Sequence, residues 1–237
     1  MYVADQYRMP ADEAARRLRQ VRYANLVTVD GAGAPQATLL PWAFAAEPDR
    51  LVTHVAKVND QWRHADRPAL VVVDGLVAPV EARWKSGFEE GRSAPGLDYE
   101  TVHVHGDLVA DGCPEAVLDS WDRLLVAHES GLRLADMDPE YLARQAAATV
   151  ALEVRVTEVV GKSKLSQANS SEDIRRIAAA MAPTCPVLAS RLLGVALPYA
   201  EHREQEVERA RRRRITAMAQ RLAAESATGE PAEERVS

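Results

Sequence analysis

Asn25-Leu-Val-Thr-Val-Asp30, Gly31-Ala-Gly-Ala-Pro35 and Gln36-Ala-Thr-Leu-Leu40 follow one another without a gap. The first and last are β-rich runs, and the Gly/Pro segment between them supplies a turn. The three together read as an antiparallel hairpin. Working outward, Leu51-Val-Thr-His-Val-Ala56 is a third strand, and residues 69–74 and 77–84 are two more, joined through Gly75. In residues 99–109, Thr101, His103 and His105 alternate with Val102 and Val104, the period of a strand. Residues 150–160 return to that period, with Leu152, Val154 and Val156 on one face. Helical segments lie around this set. Residues 10–22 open on Asp12 and Glu13 and place Ala14, Ala15, Leu18 and Val21 at helical spacing, and 114–129, 139–148 and 171–181 are helical as well. A short helix is expected at 59–65, capped by Asn59 and stopped before Pro68.

The expected fold class is therefore mainly β with appended helices, six or seven antiparallel strands forming a barrel rather than a doubly wound sheet. The barrel domain is placed at residues 1–170 and a helical extension at 171–226. A disordered tail follows at 227–237. Residues 85–97 lack periodicity and read as a mobile loop of the kind that lies over a site.

Composition narrows the function classes. Of 237 residues, 47% are hydrophobic and 27% charged, which is ordinary for a globular protein able to bury a core. Twenty-nine Lys and Arg against 35 Asp and Glu leave a net charge of −6, so bulk charge gives no reason to expect nucleic acid or a membrane as partner. No apolar run reaches the roughly 18 residues of a membrane span, and a cytoplasmic location is expected. Cys113 and Cys185 have no CxxC or Cys–His spacing, which argues against a disulfide framework or a structural zinc site. The glycine signatures of dinucleotide and P-loop sites, GxSxG and HExxH are all missing.

Three stretches carry candidate chemistry. In His54-Val-Ala-Lys57-Val-Asn59-Asp60-Gln61-Trp62-Arg63 a strand runs into a helix, so free N–H groups beside Lys57 would suit an anion such as a phosphate or a propionate. The same stretch reads equally well as a turn with a solvated lysine. His103-Val-His105 puts two imidazoles on one strand face, where they suit iron ligation or proton transfer, or structural hydrogen bonding. Gly161-Lys162-Ser163-Lys164-Leu165-Ser166-Gln167-Ala168-Asn169 reads as a polar basic loop offering hydroxyl, amide and ammonium donors to an anion. The arginine run at 209–214 follows Glu201, Glu204, Glu206 and Glu208 and reads as a salt-bridged exposed helix.

In this order, these stretches resemble the PaiB-like family, described as FMN-binding negative transcriptional regulators with a split β-barrel fold. The resemblance runs from Met1-Tyr2-Val3 to about Met181 and is most specific at His54–Trp62, at Tyr99 with Val102-His103, and at Gly161–Gln167. It implies a homodimer holding a flat cofactor at the subunit interface. There are departures. Where the family reads Y-x-S-P-x-W-Y, this chain has Val80-Glu81-Ala-Arg83-Trp84-Lys85, and where the family has P-T-W-N-Y, it has Pro95-Gly96-Leu97-Asp98-Tyr99. The fold follows from the resemblance, whereas FMN binding does not.

The pattern is similar to the family's heme-dependent branch, the piperazate synthases, which form an N–N bond in N5-hydroxyornithine. That resemblance implies heme b, with FMN as the alternative. It implies His54 as the iron ligand, with His103 and His105 as alternatives, and a cofactor pocket that also draws on Lys57, Asn59, Trp62, Trp84 and Tyr99. Lys57 or Lys164 would supply charge near the leaving oxygen or hold a propionate. Arg83, Arg92 or Gln167 would orient the substrate carboxylate, and Glu89, Glu90 and Asp98 would receive its ammonium groups as the 85–97 loop closes.

Overall fold

The computed structural model describes residues 1–46 and 49–228, with side chains up to residue 224. Seven strands form one sheet: β1 (Tyr23–Val29), β2 (Pro35–Pro41), β3 (Ala43–Ala45), β4 (Arg50–Ala56), β5 (Pro68–Val80), β6 (Gly96–Asp111) and β7 (Thr149–Lys164). Their order is β2-β1-β5-β6-β7-β4-β3. The pairs β1–β2, β1–β5, β6–β7, β4–β7 and β3–β4 are antiparallel. The two outermost strands, β2 and β3, are consecutive pieces of chain separated by Trp42 alone. A sheet whose two edges are one bent segment must curl round on itself, which makes this a half-barrel. Trp42 sits at the bend with no exposed surface, and its indole N–H donates to the Ala24 carbonyl at 3.0 Å. The mainly β class, with helices appended, is thus the observed one.

The helices are α1 (Ala11–Arg19), α2 (Pro114–Ala127), α3 (Pro139–Ala147), α4 (Ser171–Met181), α5 (Pro186–Arg191) and α6 (Leu197–Thr228). The chain divides into two compact units, residues 1–78 with 97–164 and residues 79–96 with 165–237. The excursion at 79–96, read from sequence as part of the barrel domain, therefore belongs with the C-terminal helices. In the first unit, Leu26, Trp42, Leu51, Val71, Val104, Leu108, Leu152 and Val154 fill the barrel interior. In the second, α4 buries Ile174, Ile177 and Met181, and Leu188 and Leu192 are also buried. The tail expected at 227–237 lies outside the described residues beyond 228, and residues 227 and 228 end α6.

Four local readings are corrected by the structure. The strand expected at 77–84 is the end of β5, which runs unbroken through Gly75 and stops at Val80. A Cβ at Gly75 would lie 2.7 Å from the Glu100 carbonyl oxygen, so glycine lets two backbones approach there. The helix at 59–65 is a five-residue 3-10 segment, Asp60–His64, although Asn59 does cap it through Gln61 N–H at 3.0 Å. Gly161 to Lys164, expected in a loop, is the last part of β7. Gly161 is required by packing: a Cβ there would meet Met9 Cβ at 2.7 Å and Ala14 Cβ at 3.1 Å, where the N-terminal segment and α1 cross the strand.

The fourth concerns the 85–97 loop, which is closed by its own bonds. Lys85 Nζ donates to the Ala94 carbonyl at 2.7 Å, Ser93 Oγ to the Ala82 carbonyl at 2.9 Å, and Ser86 N–H to the Asp173 carboxylate of α4 at 2.6 Å. It is a folded turn of the second unit rather than a free lid.

Candidate functional site

On β4, Leu51, Thr53 and Val55 are buried, with Leu51 and Val55 in the barrel interior. Strand alternation sends His54 to the opposite face. There α2 packs over the sheet, and the His54 ring meets the edge of Trp121 at a centroid distance of 5.9 Å and an angle of 79°. The His54 Nδ1 atom is buried and has no hydrogen-bond partner. Burial pushes the His54 pKa below its ordinary value, so the ring is neutral at neutral pH. A buried polar nitrogen left unpaired costs about 1–3 kcal/mol.

His54 lines a cavity of about 410 Å³ within the first unit. Its other walls are Pro41 and Thr149 from the sheet, Trp121, Leu124, Leu125 and His128 along α2, Ser130, Leu132, Leu134 and Met137 after it, and Tyr141 and Gln145 of α3. No lysine, arginine, aspartate or glutamate is among them. Trp121, Leu124, Leu125 and His128 were not read as site residues. Their spacing of three, four and seven residues places them on one helical face, and that is the signal that finds them.

The other histidines lie elsewhere on the same sheet. His54 pairs with Ala151 of β7 and His103 with Val160, nine residues along the strand, or about 30 Å. His105 pairs with Glu158, seven residues along, or about 23 Å. One chain therefore cannot bring His54 together with either of them as joint ligands. His103 and His105 do share the outward face, since Val102 and Val104 point into the core. Burial lowers the His103 pKa, reinforced by the charges of His105 and Lys162 and opposed by Asp74. Among the described residues no cluster of three or more His, Cys, Asp or Glu is arranged to hold a metal.

Most residues of the sequence motifs are engaged in the protein's own bonding. The Lys57 N–H donates to the Ala148 carbonyl at 2.9 Å, and the Lys57 carbonyl accepts from the Trp62 indole at 3.0 Å. A 3-10 segment of five residues has too few aligned peptides to act as the positive helix end expected beside Lys57. Trp62 packs against the barrel core with Arg63 5.0 Å above its ring, and Asn59 reaches Thr38 Oγ1 at 3.3 Å. Gln61, 1% exposed, donates to the Leu26 and Gln36 carbonyls and to Thr28 Oγ1, tying β1 to β2.

At the far end of β7, Lys162 Nζ lies 5.4 Å from the Tyr99 ring centre and bonds the Tyr2 carbonyl at 3.2 Å. Lys164 Nζ bonds the Leu97 carbonyl at 2.5 Å. Beneath them the fully buried Glu100 carboxylate accepts from Arg17 at 2.7 Å and from Ser163 Oγ at 2.9 Å. Asp98 is also buried, at 1% exposed.

In the second unit, Gln167 is buried and its Oε1 accepts from the Leu165 N–H at 2.7 Å. Arg203 of α6, which sequence reading passed over, grips the same turn through the Gln167 and Asn169 carbonyls at 2.6 Å each. Arg83 pairs with Glu81 at 2.6 Å and Arg92 with Glu90, all toward solvent, and Glu89 is exposed. Trp84 is half-buried and ends a 3-10 segment, Ala82–Trp84.

The curled antiparallel half-barrel thus carries on its outer face a cavity of about 410 Å³ whose walls hold no charged side chain. Residues 1–158 match the sequence profile of a family described as "Putative FMN-binding domain", and the chain belongs to that family. Among solved structures it is similar to the FAD- and heme-binding protein from Mycobacterium smegmatis, with 23% identity and a TM-score of 0.48 over 68% of this chain and 74% of that one. It is also similar to the flavocytochrome Anf3 from Azotobacter vinelandii, at 12% identity and a TM-score of 0.47, with the same shares covered. The conserved hypothetical protein Rv2991 from Mycobacterium tuberculosis aligns at 11% identity and 0.47, over 69% and 91%. No curated protein sequence matches the chain.

Proposed function

We propose that the His54 cavity holds heme, with His54 as the iron ligand, and that the protein is an enzyme forming an N–N bond in a hydroxylated diamino acid, as piperazate synthases do. One observation carries the cofactor: the His54 imidazole, which burial keeps neutral, lines a cavity whose walls hold no charged residue. Neutral imidazole is the form that ligates iron. A porphyrin face is apolar, and its propionates can remain at the mouth. FMN instead carries a phosphate that needs cationic or N–H donors, and the walls of this cavity supply no cation. When bound, heme supplies a Lewis-acidic iron, and the chain's residues hold it, orient the substrate and exclude water.

The reaction class comes from the resemblance at His54–Trp62 and Gly161–Gln167 rather than from the cavity. The second reading, a flavin protein, is favoured by the family to which residues 1–158 belong. Lys162 and Lys164 beside Tyr99 would then be the phosphate contacts.

The partner expected from the resemblance is a second copy, and the outer face of β2, β1 and β5 suits it. Leu39 stands opposite Asn25, Ala37 opposite Val27 and Pro35 opposite Val29, while Leu70 and Val72 continue the face on β5. Asn25 is polar and donates to the Asp74 carboxylate of β5 at 3.4 Å, and Leu39 and Tyr23 are 65% and 63% exposed. A largely apolar sheet face of this kind suits a two-fold interface, in which one patch meets itself. Leu39→Glu is expected to turn a dimer into a monomer by light scattering, and a dimer that survives it removes this face from the assembly.

An absorption spectrum of the purified protein, before and after dithionite, tests the cofactor. The expected result is a Soret band that shifts on reduction, with His54→Ala weakening heme affinity by about 100-fold or more. Broad flavin bands that bleach would overturn the heme reading. Conversion of N5-hydroxyornithine, with loss of one water by mass, tests the reaction.

A further inference from the structure

The cavity holds a second imidazole that the iron-ligand assignment leaves free. We infer that His128 is the proton acceptor for the attacking amine of the substrate, an inference that rests on the proposed function above. His128 caps the C-terminal end of α2, and its backbone N–H bonds the Leu124 carbonyl at 2.9 Å. Its Nε2 lies 3.3 Å from the backbone carbonyl oxygen of Trp42, at the bend between β2 and β3. A carbonyl can only accept, so this contact selects the ring form with hydrogen on Nε2, which in the neutral imidazole leaves the lone pair on Nδ1. Tyr23 meets the ring edge-on at 5.1 Å and 72°, which fixes its plane. Nδ1 has no hydrogen-bond partner among the described residues.

Elimination leads to the same group. The walls include no carboxylate and no lysine. The hydroxyls of Ser130, Tyr141 and Thr149 and the amide of Gln145 take up no proton near neutrality. His54 is committed to iron, and His128 is left.

The step balances. The α-amine of N5-hydroxyornithine attacks N5, the N–N bond forms as N5–O breaks, and the α-nitrogen loses one proton to His128 Nδ1. The departing hydroxide takes a proton from solvent and leaves as water, His128 returns its proton to solvent, and no external oxidant or reductant is consumed.

The test is His128→Gln in the cofactor-loaded protein. The glutamine amide can still donate to the Trp42 carbonyl, but it cannot take up a proton. The expected result is an unchanged cofactor spectrum, a KM within about twofold of the wild type, and a kcat lower by about 10²–10⁴. His128→Ala should be rescued in part by added imidazole. Nitrogen-15 NMR of histidine-labelled protein should show His128 protonated at Nε2 alone, a readout independent of turnover. A His128→Gln kcat within about threefold of the wild type, or a proton on Nδ1, overturns the inference. If the wild type turns over and His128→Gln keeps pace with it, only this inference falls. A wild type with neither Soret band nor turnover defeats the proposed function and this inference together.

Discussion

The two ends of β7 make opposite use of polar groups. At the Lys162–Lys164 end charge is plentiful and engaged: Arg17 and Ser163 hold Glu100, Lys162 holds the Tyr2 carbonyl, and Lys164 holds the Leu97 carbonyl. At the Ala151 end, across from His54, charge is missing from the cavity and one buried nitrogen has no partner. The polar end looks functional in sequence, and its charged groups are engaged in the protein's own bonds. The apolar end looks plain in sequence and lines a cavity with the His54 imidazole. Residue type locates chemistry less well than the balance of donors and acceptors does.

The largest effect should come from breaking the polar end. Glu100 has no exposed side-chain surface, and the guanidinium of Arg17, a quarter exposed, sits 2.7 Å from it. Arg17→Leu would remove the guanidinium that pairs with this buried carboxylate. The expected cost is about 3–5 kcal/mol, read as a lower urea midpoint at unchanged slope. Cofactor content per folded molecule should not change. A variant that folds as stably as the wild type but loses its cofactor would reverse the roles of the two ends.

The barrel was legible in sequence because its strands alternate: Val102 and Val104 against His103 and His105, and Leu152 and Val154 against their neighbours. β3 was not, since three residues, Ala43 to Ala45, are too few to show a period. The end of β7 was misread although its alternation is intact. Gly161, Ser163 and Leu165 are buried while Lys162 and Lys164 point outward, and the small buried residues disguise a strand as a loop. Their size is dictated by Met9 and α1 packing across Gly161, a tertiary cause with no local trace. His54 stands out in sequence by its motif, whereas the cavity it lines does not. The walls come from α2, α3 and the connection after α2, more than 60 residues downstream, and only folding brings them to β4.

The smaller effect concerns the apolar end and acid. Burial holds the His54 pKa below its ordinary value in the fold, while the unfolded chain titrates near 6.5. Below that pH the unfolded chain binds a proton that the fold resists. Stability therefore falls as pH drops through the window between the ordinary value and the lowered one, and levels off beneath it. His103, lowered in the same direction, adds its own slope at the other end of the strand. His54→Phe should flatten the loss between pH 7 and 5 in thermal melts without abolishing it, and His103→Phe should flatten the remainder. Under the proposed ligation by His54, cofactor release in acid should follow His54 alone, because protons and iron would compete for the same lone pair. If release instead follows His103, the ligand belongs at the polar end, and the contrast between the two ends of β7 fails at its central point.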